Sequence, residues 1–464
     1  MPEYDAVVIG GGPAGATAAR LLADWGHRVA ILTAAPARRS LAECLPPSTK
    51  KVFRFLGIQD AIDAAGFFAT TGNTVWWGSR GKRVEPYPDG SGYQVDRAKF
   101  DRLLLHLAES AGAQVRVGRA FGCDGPHIEF QAGGQRTAIP SRFFLDCSGR
   151  AGVLARAFRV KPRDRRTVAL CGVWRSERGW KLPDASHTLV ESYGDGWAWS
   201  VPLSATVRHV ALMVDPKESR LIRGKGIAEA YAAELAKTRA LRRIFARSSL
   251  EGAPWGRDAS LYSSTRFCGP GFLLAGDAGS FIDPLSSFGV KKALVSGWAA
   301  AVVANTCLTN PALQDAALRF YDERERSIEE HYRKQSGAWF SQGAGPFWES
   351  RAETIAETGG AAAAQALALA GLRRRRSIRL HRAEGVRLEQ RAGIEGREVV
   401  LRPALIAPGM TEPLDFISNI DVVKLVELAP GYRSVPDLFE AYGQAELPDF
   451  LRALATLLAK GILQ

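Results

Sequence analysis

With 464 residues, 46% of them hydrophobic and 23% charged, the chain is long enough for two or three domains and too apolar to be wholly disordered. Its formal charge of +13 suits an acidic ligand or protein partner; the basic residues are spread along the chain without aromatic interleaving or finger spacing, which speaks against nucleic acid. Cys44, Cys123, Cys147, Cys171, Cys268 and Cys307 form no C-x-x-C pair and cluster with no histidine, so neither a metal site nor a disulfide framework is expected. No apolar run reaches membrane-spanning length and no basic-then-apolar leader is visible, which together with the cysteine usage suggests a cytoplasmic protein without membrane contact.

The first elements read as β-α-β: "YDAVVIGGGPAGATAARLLADWGHRVAIL" is an apolar strand, a glycine turn, an Ala/Leu helix and a second apolar strand. Gly10 suits the tight turn, Gly12 the close approach of a pyrophosphate, and Gly15 the packing of helix on strand. Pro13 and Ala14 open the helix, whose free N–H groups would face the phosphates. The acidic residue expected at the end of the second strand is replaced by Thr33, followed by Arg38 and Arg39. Ribose binding then falls to one hydroxyl or to another residue.

Further along, "FFATTGNTVWWGS" (67 to 79) holds two tryptophans and no ionisable side chain, as a buried strand and its turn would. "VDRAKFDRLLLHLAESAGAQV" (95 to 115) is a helix led by Arg97, and "FLDCSGRAG" (144 to 152) a strand ending in Asp146 and Gly149. "GDGWAWSVPLS" (194 to 204) alternates, with Trp197 and Trp199 on one face; His187 and Glu191 precede it, also sharing a face. "GPGFLLAGDAGSFIDPLSSFGVKKALVSGWAAAVVA" (269 to 304) gives a strand, the turn Gly276-Asp277-Ala278, a second turn at Asp283-Pro284 and a long apolar helix.

At these residues the chain resembles the FAD-dependent monooxygenases of the aromatic hydroxylase fold, over roughly residues 4 to 335. The resemblance implies FAD on the glycine turn, with Thr33 and Arg97 near it. Asp277 would accept a ribityl hydroxyl beside Gly276, and the N–H groups near Gly289 and Val290 would face the flavin pyrimidine edge.

The W-x-W-x-x-P pattern, with "SLAECLPPSTKKVFRFLGI" (40 to 58) and "FIDPLSSFGVKKAL" (281 to 294), resembles flavin-dependent tryptophan halogenases and their relatives. Those enzymes capture hypohalous acid on a lysine set in K-x-G-x-x-hydrophobic-x-W. Alignment puts Thr70 at the lysine position, followed by Gly72, Val75 and Trp77, and threonine can neither form a haloamine nor present an ammonium group. The nearest lysines are Lys82 downstream and Lys50 and Lys51 upstream.

Among halogenase-like flavoproteins without that lysine, the chain is similar to the peptidyl-tryptophan hydroxylases of cysteine tryptophylquinone biogenesis, which mature quinohemoprotein amine dehydrogenase. That resemblance implies two oxygen insertions on one indole of a protein already crosslinked by a radical enzyme, with O2 and a reductant as co-reactants. Reduced flavin and O2 give a C4a-hydroperoxide whose distal oxygen is electrophilic; an electron-rich ring attacks it without a charged catalyst, provided water is kept out. Phe67, Phe68, Trp76, Trp77, Trp197, Trp199 and Phe288, with Thr70 and Pro284, are the expected walls. No general base is nominated firmly; His187 and Glu191 are candidates for the proton lost on rearomatisation. The alternatives are a small-molecule aromatic hydroxylase, a halogenase using another lysine and, ranked below them, a flavin-bearing sensor or DNA-binding regulator.

The expected architecture is α/β. A Rossmann-like FAD domain spans 1–165 and 255–340, an antiparallel substrate sheet 166–254, a linker and helical segment 341–400, and a small helical or winged-helix-like domain 401–464. The Arg373 to Arg376 run reads as a helix end or a docking patch. In the tail, "DVVKLVELA", "SVPDLFEAYG" and "PDFLRALATLLAKGIL" read as helices, with Ser434 an N-cap and Pro448 opening the last.

Overall fold

The computed structural model describes residues 4–35, 39–162, 165–219, 226–343, 345–352, 359–374, 377–410 and 412–464. It divides into two compact units, Met1–Pro311 with Tyr321–Thr354, and Ala312–Phe320 with Ile355–Gln464.

The first unit is built around a sheet whose centre is parallel. Strand Tyr4–Ile9 lies between Gln135–Asp146 and Val29–Thr33, with Phe272–Leu274 beyond the former and Gln114–Val117 beyond the latter. The register pairs Ile9 with both Asp146 and Leu32, so these strands end level and open a crevice at their carboxyl ends, where such sheets bind ligands. Continuous apolar runs such as AVVI and VAIL suit strands covered on both faces. One cover is the helix Gly289–Thr309, rich in alanine and buried along most of its length. It packs so closely on the helix Pro13–Asp24 that a Cβ on Gly297 would lie 2.3 Å from the carbonyl oxygen of Ala14.

A second, seven-stranded sheet runs in the order Ser249–Asp258, Val168–Arg175, Val207–Val214, Gly196–Pro202, Thr188–Tyr193, Gly72–Trp76, Lys82–Pro86. It is antiparallel apart from the pairing of Thr188–Tyr193 with Gly72–Trp76. Strict alternation gives it two apolar faces. Leu170, Ala198, Val210 and Leu212 pack under Tyr231 and Leu235 of the helix Ile227–Lys237, while Ala169, Cys171, Trp199, Ala211 and Met213 face the other way.

The second unit carries a hairpin, Arg387–Glu395 with Glu398–Ile406, turned at Gly396, where φ of +59° favours glycine. Three helices follow, Val422–Leu428, Val435–Tyr442 and Leu447–Ala459. Ser434 Oγ accepts from Asp437 N at 3.2 Å, and Pro448 sits in the first turn of the last helix, as expected of a cap and an opener. The arginine run is entered by the helix Gly359–Arg374; Arg375 and Arg376, like Arg38, lie outside the described residues. Among the described residues no helix is long and apolar enough to cross a membrane, and no group of three or more His, Cys, Asp or Glu could hold a metal ion.

Candidate active site

A cavity of about 730 Å³ runs from the glycine turn to the second face of the seven-stranded sheet. At its first end, Gly10 has φ +106°, and a Cβ there would lie 2.4 Å from Cys147 O; on Gly15 it would lie 1.9 Å from Gly10 O. Both positions are closed to any larger residue by the chain itself. At Gly12 the same Cβ would come no closer than 4.0 Å to anything, the nearest atom being Asp101 Oδ2. The turn is therefore tight on the protein side and open towards the cavity, which is the form a diphosphate needs against a helix start. Pro13 and Ala14 also line the cavity there, and so does Thr33 at the strand end.

Arg97 opens the helix Arg97–Ser110 and is held by two carboxylates. It grips Asp101 with Nε and Nη2, both at 2.9 Å, and lies 3.7 Å from Glu43. Burial works against its charge, but Asp101 and then Glu43 outweigh it and hold Arg97 above its ordinary value. Burial pushes the Glu43 carboxyl up to about 7, opposed by Arg97 and assisted by Asp277 and Asp101. Asp277 reaches the cavity from the turn Gly276–Ala278; Lys292 Nζ fixes that turn by donating to Gly276 O at 3.0 Å and Ser280 O at 2.5 Å. Gly289 and Val290, at the start of the long helix, line the cavity too, presenting backbone N–H groups without intrahelical partners. Gly15 and Gly276 shape these turns without lining the cavity.

The far wall is Ala169, Cys171, Trp199, His209, Ala211 and Met213, all from one face of the sheet; Pro284 borders it from the turn Pro284–Ser286. Of the tryptophans expected there, Trp199 alone lines the cavity. Trp77 and Trp197 lie behind it in a chain of edge contacts: Trp199 to Trp197 at 6.4 Å, Trp197 to Trp77 at 6.3 Å, and Trp77 to Trp348 at 5.2 Å and Trp339 at 6.1 Å. Trp77 Nε1 donates to Trp339 O at 3.1 Å, so this pair fixes the wall from behind. Trp76 points to the opposite face, among the residues under Tyr231, because neighbours on a strand alternate.

Several other expected wall residues sit elsewhere. Thr70 is fully buried and donates to Gly72 O at 3.3 Å; Phe67 packs on Phe100, and Phe288 on Tyr332. None of these lines the cavity, nor does Phe68. His187 is engaged by Thr74 Oγ1 at 3.0 Å and Asp184 at 3.4 Å. Glu191 accepts the N–H groups of Arg239, Ala240 and Leu241, the last at 2.8 Å, and so caps the start of a short helix. Both candidate bases are thus structural groups outside the cavity. Among the described residues no lysine lines it either: Lys50 lies over the Tyr93 ring, and Lys51 and Lys82 are exposed. The residue that sequence reasoning missed is His209, a lone histidine in an apolar strand whose only signal was its phase with Ala211 and Met213.

The glycine cradle, the clamped arginine and the helix start fit FAD. Residues 3–325 match the family of FAD binding domains. A tryptophan 2-halogenase of Chondromyces crocatus is 31% identical over 70% of this chain and 65% of its own length, and a flavin-dependent halogenase of Armillaria mellea is 28% identical over 69% and 71%. This chain thus spans about two thirds of the length of those relatives. Two solved structures are similar in fold. The flavin-dependent halogenase CmlS has a TM-score of 0.80 at 23% identity, covering 100% of this chain and 96% of that one. The peptidyl tryptophan dihydroxylase QhpG, described as essential for tryptophylquinone cofactor biogenesis, has 0.72 at 22%, covering 99% of both. With the cavity built as these residues build it, the chain belongs to the family of FAD binding domains, and it is an FAD-binding oxidoreductase.

Proposed function

We propose that the protein is a monooxygenase that places oxygen on the indole of a tryptophan within a protein substrate, as a step in tryptophylquinone biogenesis. Bound FAD, once reduced, would supply activated oxygen from O2. The chain's own part is to hold and to shelter. The Gly10 to Gly15 turn and the start of the helix Pro13–Asp24 receive the diphosphate, with Arg97 and Asp277 nearby. Trp199, Ala211 and Met213 give a wall that excludes water while an electron-rich ring meets the oxidant.

One observation carries this reading. The far wall of the cavity is largely aromatic and aliphatic, no lysine among the described residues lines the cavity, and the position aligned with the halogenase lysine holds a buried Thr70 turned to its own backbone. The likeness in fold to QhpG along nearly the whole of both chains supports a protein substrate. The test is incubation of the FAD-loaded protein with a reductant, O2 and the crosslinked protein substrate, followed by mass spectrometry. The expected product has gained the mass of one or two oxygen atoms, independently of halide. Unchanged mass with verified flavin turnover would overturn the proposal.

The sequence relatives favour a second reading, a halogenase acting through an unexpected lysine. A product that forms only with chloride or bromide would establish it in place of the first.

A further inference from the structure

His209 lines the cavity, is 1% exposed, and has no hydrogen-bond partner among the described residues at either ring nitrogen. Trp199, on the same wall and 7% exposed, has no acceptor for its Nε1–H. The strand registers make them diagonal neighbours on one face: Trp199 pairs with Ala211, and His209, two residues before Ala211, pairs with Val201. Buried polar groups are almost always paired, and leaving one unpaired is costly. Two of them on one cavity wall point to a ligand that completes them.

We propose that His209 recognises the substrate ring, its imidazole accepting a hydrogen bond from a ring N–H or O–H while Trp199 Nε1 donates to an acceptor on the same ligand. Burial pushes the His209 imidazole down to about 4, so it is neutral at physiological pH and offers one acceptor nitrogen. Its ring stands edge-on to Trp255, with centroids 5.6 Å apart, which limits how it can turn. The substrate class that follows is an indole, phenol or related ring with a free donor on its edge, on a ligand that also carries an acceptor for Trp199, such as the phenol oxygen or the peptide carbonyl beside a tryptophan; free indole probes the His209 half alone. Rings of the same size lacking that donor would leave His209 unpaired and be rejected.

This assignment deepens the proposed function and rests on it for the ring's identity, but the test separates the two. Indole and 1-methylindole are titrated into the oxidised, FAD-loaded protein and followed by the flavin absorbance change; FAD affinity and oxygenated product are measured independently. The native protein should bind indole roughly ten- to a hundredfold more tightly than 1-methylindole. His209→Phe should abolish that preference, and His209→Gln, which keeps an acceptor, should retain part of it. FAD affinity should not change in either variant. Equal binding of the two probes, or binding of neither, overturns the assignment even if oxygenated product forms. A preference that survives in His209→Phe, with FAD affinity lost instead, gives His209 to the cofactor and also overturns it. Discrimination that depends on His209, without oxygenated product, leaves the recognition role standing and removes the monooxygenase reading. Should His209→Phe fail to take up FAD, His209→Gln decides: full preference with an unchanged binding constant sinks the assignment.

Discussion

Arg208 and His209 are neighbours on one strand and face opposite sides of one sheet, both buried. On the side covered by the helix Ile227–Lys237, every arm of Arg208 is used. Nε donates to Ser200 Oγ at 2.9 Å, Nη1 to Ala185 O at 2.9 Å, and Nη2 to His187 O at 2.6 Å. On the cavity side His209 has none. Their near neighbours repeat the contrast: Trp174 Nε1 donates to Tyr231 OH at 2.7 Å, whereas Trp199 Nε1 donates to nothing. Trp180, also unpartnered, departs from the pattern on the covered side, with the Arg208 guanidinium 5.9 Å from its ring centroid. The two faces are equally apolar in sequence, so hydrophobicity does not tell them apart. Hydrogen-bond completeness does: a wall that only supports is satisfied within the protein, and a wall that meets a ligand keeps places open.

The strongest way to break this comparison is at Arg208. Replacing it by Met strands Ser200 Oγ and several carbonyl oxygens in the core, and should cost about 3–5 kcal/mol of stability. A shift of the urea midpoint corresponding to less than about 1 kcal/mol would show that these bonds do not hold the covered face.

His209 provides a test in pH. Unfolded, its imidazole takes a proton near 6.5; folded, burial delays protonation to about 4, with Asp96 offsetting this only in part. Between those values the unfolded chain binds more protons, so stability falls as pH drops from 6.5 to 4, by up to about 3 kcal/mol. In His209→Gln that part of the slope should be missing. Identical pH dependence in the native protein and the variant would mean that His209 is already charged or partnered.

The finest test compares two conservative changes. Trp174→Phe removes a made hydrogen bond and orphans Tyr231 OH, while Trp199→Phe removes a donor that had no acceptor. The first should destabilise by about 1 kcal/mol more than the second, measured by thermal or urea unfolding. Equal costs would erase the distinction between the faces.

Sequence legibility followed the same division. Gly10, Gly12 and Gly15 were readable as a tight turn because phosphate chemistry fixes residue type and spacing locally, whereas Arg97 was offered by family resemblance alone. Trp197 and Trp199 were placed on one face by alternation, but only depth separates the one lining the cavity from the one behind it. Trp77 is set by Trp339 and Trp348, which lie more than 260 positions away and leave no local trace. Trp76 was misplaced because two adjacent tryptophans read as one patch, although a strand must send them to opposite sides. His187 and Glu191 looked like bases because their partners, Thr74 and the backbone of Arg239 to Leu241, are distant in sequence. In the tail the cap at Ser434 and the opener Pro448 were legible. The hairpin at Arg387–Ile406 was not, since its alternation is broken by Gly393 and Pro403.

Cys147 and Cys171 both line the cavity in which the proposed function would have oxygen activated. Burial pushes Cys171 up to about 12 and Cys147 well above its ordinary value, so both stay protonated and make slow nucleophiles. On the proposed function, that insulates the site from oxidant that escapes the ring substrate. The exposed Cys123, on the strand Arg119–Asp124, lies outside that lining, and burial of its thiol raises it too, to about 11, so none of the three is poised as a thiolate.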